Sequence, residues 1–372
     1  MRKFWSRAIL LFAACEALAQ AQPAIDAKSY YLVDAASGVV LAESQSTEQL
    51  DPASLTKLMT AYLAFDALAQ EAVTLNDLVP VSEKAWRAPG SRMFIEVDTE
   101  VSLDDLLRGL IVQSGNDAAI ALAEHLSGSV ESFVEAMNQM AASLGMSSTT
   151  YRNANGLPAR GHVSTARDTA VLAQALIEDF PEFYSRYSER EFTYNEIRQH
   201  NRNALLWLDD SVDGLKTGYT RAAGYCLVSS AERDGMRLIA VVFGALTADA
   251  RTEGSIALLD YGFESFETHK LYSGGEAIAQ ARVWKGNLDT LALGTADDVF
   301  VTVPRGEYEK LGASAALTTE LVAPLVRNQA VGELEISLGD QSVSLLPLVA
   351  LETVEQGWLL TRVADGISLW FE

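Results

Sequence analysis

The chain has 372 residues, with 50 acidic side chains against 28 basic ones and a formal net charge of -22. That excess argues against a nucleic-acid surface and against broad electrostatic adhesion to anionic lipid, and it fits a soluble acidic exterior. Two cysteines and four scattered histidines give neither a disulfide framework nor metal-ligand spacing, so no cofactor and no metal is expected.

Residues 1–21 read as a targeting segment. Arg2, Lys3 and Arg7 precede a short apolar run, Ala8 to Ala14, and two small-x-small sites follow at Ala17-Leu18-Ala19 and Ala19-Gln20-Ala21. The run is too short to span a bilayer, and Phe12 matches the start of a lipoprotein signal poorly, which favours a cleaved signal peptide over lipidation at Cys15. Tyr30–Val33 and Val39–Leu41 flank Ala36-Ser37-Gly38 as a β-hairpin. Asp51-Pro52-Ala53 opens a helix from about Ser54 to Ala69. A second helix is expected over Val101 to Val112, with Ser102 and Asp105 as a capping box, and a third over Asp117 to His125. Ser114-Gly115-Asn116 breaks the two apart.

Strand signals return after Asp213. Tyr225–Ala231 and Met236–Val242 flank Arg233-Asp234-Gly235, a hairpin turn. Two hairpins around a helical middle predict an α+β domain over 25–265, a five-stranded antiparallel sheet carrying a helical cluster. From 266 to 350 short apolar alternations broken by Gly, Asp and Pro predict a small all-β domain. Residues 351–372 are expected to form an amphipathic helix, with helical character from Glu352 on. Leu359, Leu360, Val363, Ala364, Ile367, Trp370 and Phe371 share one face, and Thr361, Arg362, Asp365, Ser368 and Glu372 lie opposite. Such a helix suits the plane of a membrane surface rather than a span.

Three short motifs carry the chemistry. Ser54-Leu55-Thr56-Lys57 puts a hydroxyl and an amine one helical turn apart. A serine needs a base to become a nucleophile, and no His or carboxylate lies in this motif, so the base is Lys57. A lysine is protonated at neutral pH unless burial or a second cation strips it, and Lys216 is a candidate for that cation. Ser54 at the helix start also places its own N–H where an oxyanion can be held. Ser114 is placed to relay a proton to a leaving amine, and Asn116 to hold both Lys57 and a substrate amide through the two ends of its carboxamide. Lys216-Thr217-Gly218 begins strand-forming sequence. On an edge strand it can bind an extended peptide, with Gly218 leaving room and Lys216 and Thr217 holding a carboxylate.

In this order the motifs resemble the low-molecular-mass penicillin-binding proteins, the serine D-alanyl-D-alanine carboxypeptidases of the penicillin-binding protein 5 and 6 type. The resemblance is closest in Ala53–Thr60, Leu110–Asp117, Thr165–Asp168, Asn201-Arg202-Asn203 and Asp213–Gly218. It implies a penicillin-binding, β-lactamase-like fold, a Ser54 acyl-enzyme and a D-alanyl-D-alanine carboxypeptidase that limits cell-wall crosslinking. It further implies Lys57 as proton acceptor, Ser114 and Asn116 in the proton network, and Lys216 on the substrate. The N–H groups of Ser54 and Tyr219 would form the oxyanion hole, with Arg251 on the terminal carboxylate and Arg202 assisting. The implied partners are a peptidoglycan stem pentapeptide and β-lactam antibiotics as covalent inhibitors. The implied location is the periplasmic face of the inner membrane, held peripherally by the C-terminal helix. A β-lactamase, a DD-endopeptidase or transpeptidase, and a non-catalytic peptidoglycan-binding scaffold are the competing readings. The one E-x-x-x-N match for a deacylating loop, Glu191 to Asn195, lies close to Lys216 in sequence.

Overall fold

The computed structural model describes residues 22–359 together with Arg362 and Asp365. The proposed targeting segment and most of the apolar face of the tail, from Leu360 on, lie outside the described residues. The chain divides into two compact units, 21–264 and 265 onward.

The first unit begins with strands β1 (Ser29–Asp34) and β2 (Val40–Ser44). A 3-10 turn over Ala53–Thr56 leads into helix α1 (Lys57–Ala69). The short strand β3 (Leu78–Pro80) and helix α2 (Glu83–Trp86) precede strand β4 (Glu100–Ser102). Helices α3 (Leu103–Arg108), α4 (Asn116–Ser127), α5 (Val130–Ser143), α6 (Ala166–Asp179) and α7 (Pro181–Tyr184) follow. A small hairpin, β5 (Glu191–Tyr194) and β6 (Ile197–His200), and helix α8 (Leu205–Leu208) lead to three long strands. These are β7 (Val212–Thr220), β8 (Gly224–Arg233) and β9 (Met236–Ala245), and helix α9 (Ala248–Ser265) closes the unit.

The sheet is the expected five-stranded antiparallel one, in the order β2-β1-β9-β8-β7. Its central strand reads Leu238-Ile239-Ala240-Val241-Val242-Phe243 and is wholly buried, because both faces are covered. Ile239, Val241 and Phe243 join the core that holds α1 and α6. Leu238 faces the other way, toward Gly262 of α9, where a methyl group would meet it at 2.5 Å. The β8–β9 hairpin turns at Asp234-Gly235 with φ of 52° and 81°, the left-handed pair that a two-residue turn requires. Helix α1 is buried on nearly every side, with Leu58, Met59, Ala61, Ala64 and Phe65 fully so.

Two helix boundaries differ from expectation. The first helix starts as a 3-10 turn, so Ser54 sits in a tighter coil and Lys57 begins the α-helix. Val101 pairs with Val79 in a strand instead of starting a helix. Ser102 does cap α3, accepting the Asp105 N–H at 3.1 Å, but α3 runs into a π-helical turn over Gly109–Gln113. Such a turn shifts the side chains that follow it and is frequent beside functional groups.

The second unit is all-β. Strands β10 (Phe266–Tyr272) and β13 (Val299–Pro304) pair with each other. The others are β11 (Ala279–Trp284), β12 (Thr290–Gly294), β14 (Leu311–Leu317), β15 (Leu321–Val322), β16 (Ala330–Leu338) and β17 (Gln341–Ala350). They form a six-stranded sheet in the order β14-β16-β17-β12-β11-β15. Its core holds Val283, Leu291, Leu293, Val301, Leu334, Ile336 and Leu348. The expected helix from Glu352 on does not start there. Val354 bridges to Leu325 and Gln356 to Gly286, so residues 352–357 are extended chain tied to this unit. Alternate residues are anchored to neighbouring backbone, and that pairing outweighs the local helical pattern.

Candidate active site

Several chain segments meet at one cavity of about 590 Å³ in the first unit. The 3-10 turn supplies Ser54, the break after the π-turn supplies Ser114 and Asn116, and edge strand β7 supplies Thr217, Gly218 and Tyr219. Arg202 and Arg251 complete the lining among the sequence-predicted residues. Lys57 and Lys216 lie beneath it, 1% and 3% exposed. All ten sequence-predicted residues are therefore brought to one place.

The backbone is forced where the two serines sit. Ala53, just before Ser54, has φ of 47°, and Ser114 has φ of 63°. Left-handed non-glycine residues cost of order 1 kcal/mol and persist where surrounding packing holds them. Gly218 explains why β7 can lie against the nucleophile turn. A Cβ there would stand 3.2 Å from the Ser54 nitrogen and 3.2 Å from the Ala53 Cβ.

Lys57 Nζ has three oxygen neighbours: Asn155 O at 2.5 Å, Asn116 Oδ1 at 2.7 Å and Ser54 Oγ at 3.2 Å. The two carbonyls can only accept. A neutral Lys57 spends its two N–H bonds on them and turns its lone pair to the Ser54 hydroxyl. Burial lowers its pKa to about 7, Arg202 pushes the same way, and Asp117 opposes. Arg202 thus joins Lys216, the cation that the sequence suggested, whose buried amine is coupled to that of Lys57. Lys216 is itself held well below its ordinary value by burial and then by Lys57, Arg202 and Arg251. Its Nζ donates to Thr217 O at 3.2 Å.

Asn116 differs from expectation in one respect. Its Oδ1 holds Lys57, but its amide donates to Pro89 O at 2.6 Å, which leaves one N–H for a substrate. Ser114 Oγ is buried and has no hydrogen-bond partner among the described residues. Arg251 is 8% exposed and its Nε is likewise unpartnered there. Arg202 stands exposed at the lip. Arg202 and Arg251 thus line the cavity in a chain of strongly negative charge, with no Asp or Glu among the lining residues. Cations held without acids attract an anionic ligand.

Sequence reasoning missed the segment 151–162. It closes at its base through the Thr150–Val163 bridge and is braced inside by Asn153, whose Oδ1 accepts the Gly156 N–H at 2.7 Å. It presses on the nucleophile helix through Ala154 O, which accepts from Thr60 Oγ1 at 2.7 Å, as well as through Asn155 O. Gly156 (φ 84°) fits only as glycine, since a Cβ would fall 1.8 Å from Ala53 O. The legible signal was Asn-Gly within Asn153-Ala154-Asn155-Gly156, a loop marker that does not say what the loop touches.

The sequence pattern of the D-alanyl-D-alanine carboxypeptidases matches residues 16–247. The chain belongs to that family. Residues 266–356 match the penicillin-binding protein 5 C-terminal domain. The chain is 46% identical to the D-alanyl-D-alanine carboxypeptidase DacC of Escherichia coli, over 94% of this chain and 89% of that one. Its fold is similar to that of penicillin-binding protein 5 from Haemophilus influenzae, with a TM-score of 0.88 and 41% identity, covering 90% of this chain and 99% of that one. It is also similar to penicillin-binding protein D2 of Listeria monocytogenes in its ampicillin-bound form, with a TM-score of 0.61 and 32% identity, covering 66% of this chain and 100% of that one. The α+β fold with an all-β second domain is thus that of the carboxypeptidase family, as the motifs implied.

Proposed function

We propose that Ser54 is the nucleophile through which this carboxypeptidase removes the terminal D-alanine from peptidoglycan pentapeptides. The observation that carries the reading is the Lys57 amine, buried, depressed to about 7 and set 3.2 Å from Ser54 Oγ between two carbonyl acceptors. Lys57 takes the hydroxyl proton as Oγ attacks the carbonyl of the penultimate residue. The N–H groups of Ser54 and Tyr219 hold the oxyanion, and Ser114 relays the proton from Lys57 to the departing D-alanine amine. Water then hydrolyses the ester. Thr217, Lys216 and Arg251 take the terminal carboxylate, with Arg202 at the lip. A β-lactam enters the same steps, but its leaving amine stays tethered and blocks the water.

A β-lactamase of the type with a deacylating glutamate is less well supported. Glu191 sits on the β5–β6 hairpin and pairs with Arg198 Nε at 2.9 Å, and it does not line the cavity. The tail supports peripheral attachment at the periplasmic face of the inner membrane. Trp358 and Leu359, at its start, are 79% and 75% exposed, and no helix among the described residues is long and apolar enough to cross a membrane.

Release of D-alanine from a pentapeptide ending in D-Ala-D-Ala tests the activity. Ser54→Ala is expected to abolish both this release and covalent labelling by a fluorescent penicillin; labelling that persists would refute the assignment. Amidation of the terminal carboxyl should suppress turnover far more than changes earlier in the peptide.

A further inference from the structure

His162 is 1% exposed and belongs to none of the three motifs. Its Nδ1 accepts the Arg152 N–H at 2.8 Å, so that nitrogen carries no proton. Burial, with Arg152 nearby, pushes its pKa down to about 4, so the ring is neutral at working pH. The proton of the neutral ring therefore sits on Nε2, 2.8 Å from the Thr56 hydroxyl. Thr56 is fully buried and lies between the nucleophile and the base in Ser54-Leu55-Thr56-Lys57. The rings of Tyr151 and His162 meet edge to face, 5.9 Å between centroids. His162 thus ends the same loop whose Asn155 carbonyl receives a Lys57 N–H.

From this geometry we infer that His162 is a positioning residue for the acylation step: by donating to Thr56 it pins the 151–162 loop to the nucleophile turn, so that the Asn155 carbonyl aims the Lys57 lone pair at Ser54. The loop is tied to this turn and helix at three side chains, Thr56, Lys57 and Thr60. Only the Thr56 tie is made by a side chain of the loop; the other two use loop carbonyls. Loss of the His162–Thr56 bond lets Asn155 O drift, one Lys57 N–H loses its acceptor, and the amine can turn away from the hydroxyl. Misplacement of a reacting group by about 1 Å costs on the order of a hundredfold in rate. The inference rests on Lys57 being the base.

The test is stopped-flow acylation by a fluorescent penicillin at pH 8, resolving non-covalent binding from the acylation rate constant and scoring active-site stoichiometry. His162→Asn keeps an acceptor for the Arg152 N–H but cannot reach Thr56, whereas His162→Gln reaches Thr56 with an amide N–H. The expected result is a roughly ten- to hundredfold slower acylation step in His162→Asn, with binding and stoichiometry unchanged, and substantial rescue in His162→Gln. Thr56→Val should reproduce the Asn phenotype, and the His162→Asn/Thr56→Val double variant should be no slower than either single. A merely structural role gives the reverse order, Asn tolerated and Gln not, or a fall in stoichiometry with the rate constant intact. Either result overturns the inference, as does a wild-type rate in Thr56→Val. If His162→Asn fails to fold, Thr56→Val alone decides. Lys57→Ala, run in parallel, separates the two readings: an unimpaired rate there refutes Lys57 as base, whereas a slow Lys57→Ala beside an unimpaired His162→Asn refutes only the role of His162.

Discussion

Lys57 has no carboxylate paired with it among the described residues, and burial keeps its pKa near 7. The sign of the activity profile follows. With the neutral amine as the proposed base, acylation should be level above about pH 7 and fall about tenfold per unit below it. A pH–rate profile for penicillin acylation checks this, and Lys57→Ala should lose a factor of roughly 100 or more. His162 sets a second pH dependence, on stability. Its folded pKa of about 4 lies below the ordinary 6.5, so between those values the unfolded chain binds the proton first. Stability therefore rises with pH across that window, and acid from 6.5 down to 4 removes about 3 kcal/mol at most. Thermal melts of the wild type and His162→Gln over pH 4–7 should show a shallower slope in the variant. Parallel slopes would mean that the imidazole takes up its proton without cost.

At the scale of elements, two glycines let separate segments close on one serine, and they make different predictions. Gly156 has both a left-handed φ and no space, its Cβ position falling 1.8 Å from Ala53 O. Gly156→Ala should lower both folding stability, by more than about 1 kcal/mol, and acylation. Gly218 has an ordinary backbone but a Cβ position 3.2 Å from the Ser54 nitrogen. Gly218→Ala should leave the melting temperature nearly unchanged, while β7 backs off by a few tenths of an ångström and acylation slows. Circular dichroism melts together with labelling rates separate the two cases. Element boundaries were read less well than element types. The start signal Asp51-Pro52-Ala53 gave α1, and apolar runs bounded by turn residues gave the long hairpins. The 3-10 start at Ala53 and the π-turn at Gly109–Gln113 have no such signal. Both depend on what packs on them, as where a Cβ at Gly109 would fall 2.1 Å from Met93 Sδ.

At the scale of the whole molecule, the bridges of residues 352–357 decide where the tail can be cut. Val354 and Gln356 bridge to the all-β unit, so a deletion from 353 would strip paired backbone from that unit as well as the tail. A cut after Gly357 keeps both bridges. Removing 358–372 should release the protein from the membrane fraction while carboxypeptidase activity persists. Attachment of the full chain should survive high salt, since Arg362 is the sole basic residue beyond Glu352 and apolar burial must supply the affinity. Retention of the truncated protein in the membrane fraction would point to the other end of the chain.

The sequence by itself determined the chemistry and the class of fold. Serine, lysine and the K-T-G run are legible because each must be a particular residue type, and helices and strands are legible because apolar runs and turn residues mark what is buried and where it ends. All ten predicted site residues converge for that reason. What only the tertiary structure decided is the surroundings of the lysine. Arg202 as well as Lys216 bears on Lys57, Pro89 takes one end of Asn116, and a backbone carbonyl of Asn155 completes the amine's shell. Backbone carbonyls are the same at every residue and electrostatic coupling depends on distance through space, so neither leaves a mark in the order of side chains along the chain.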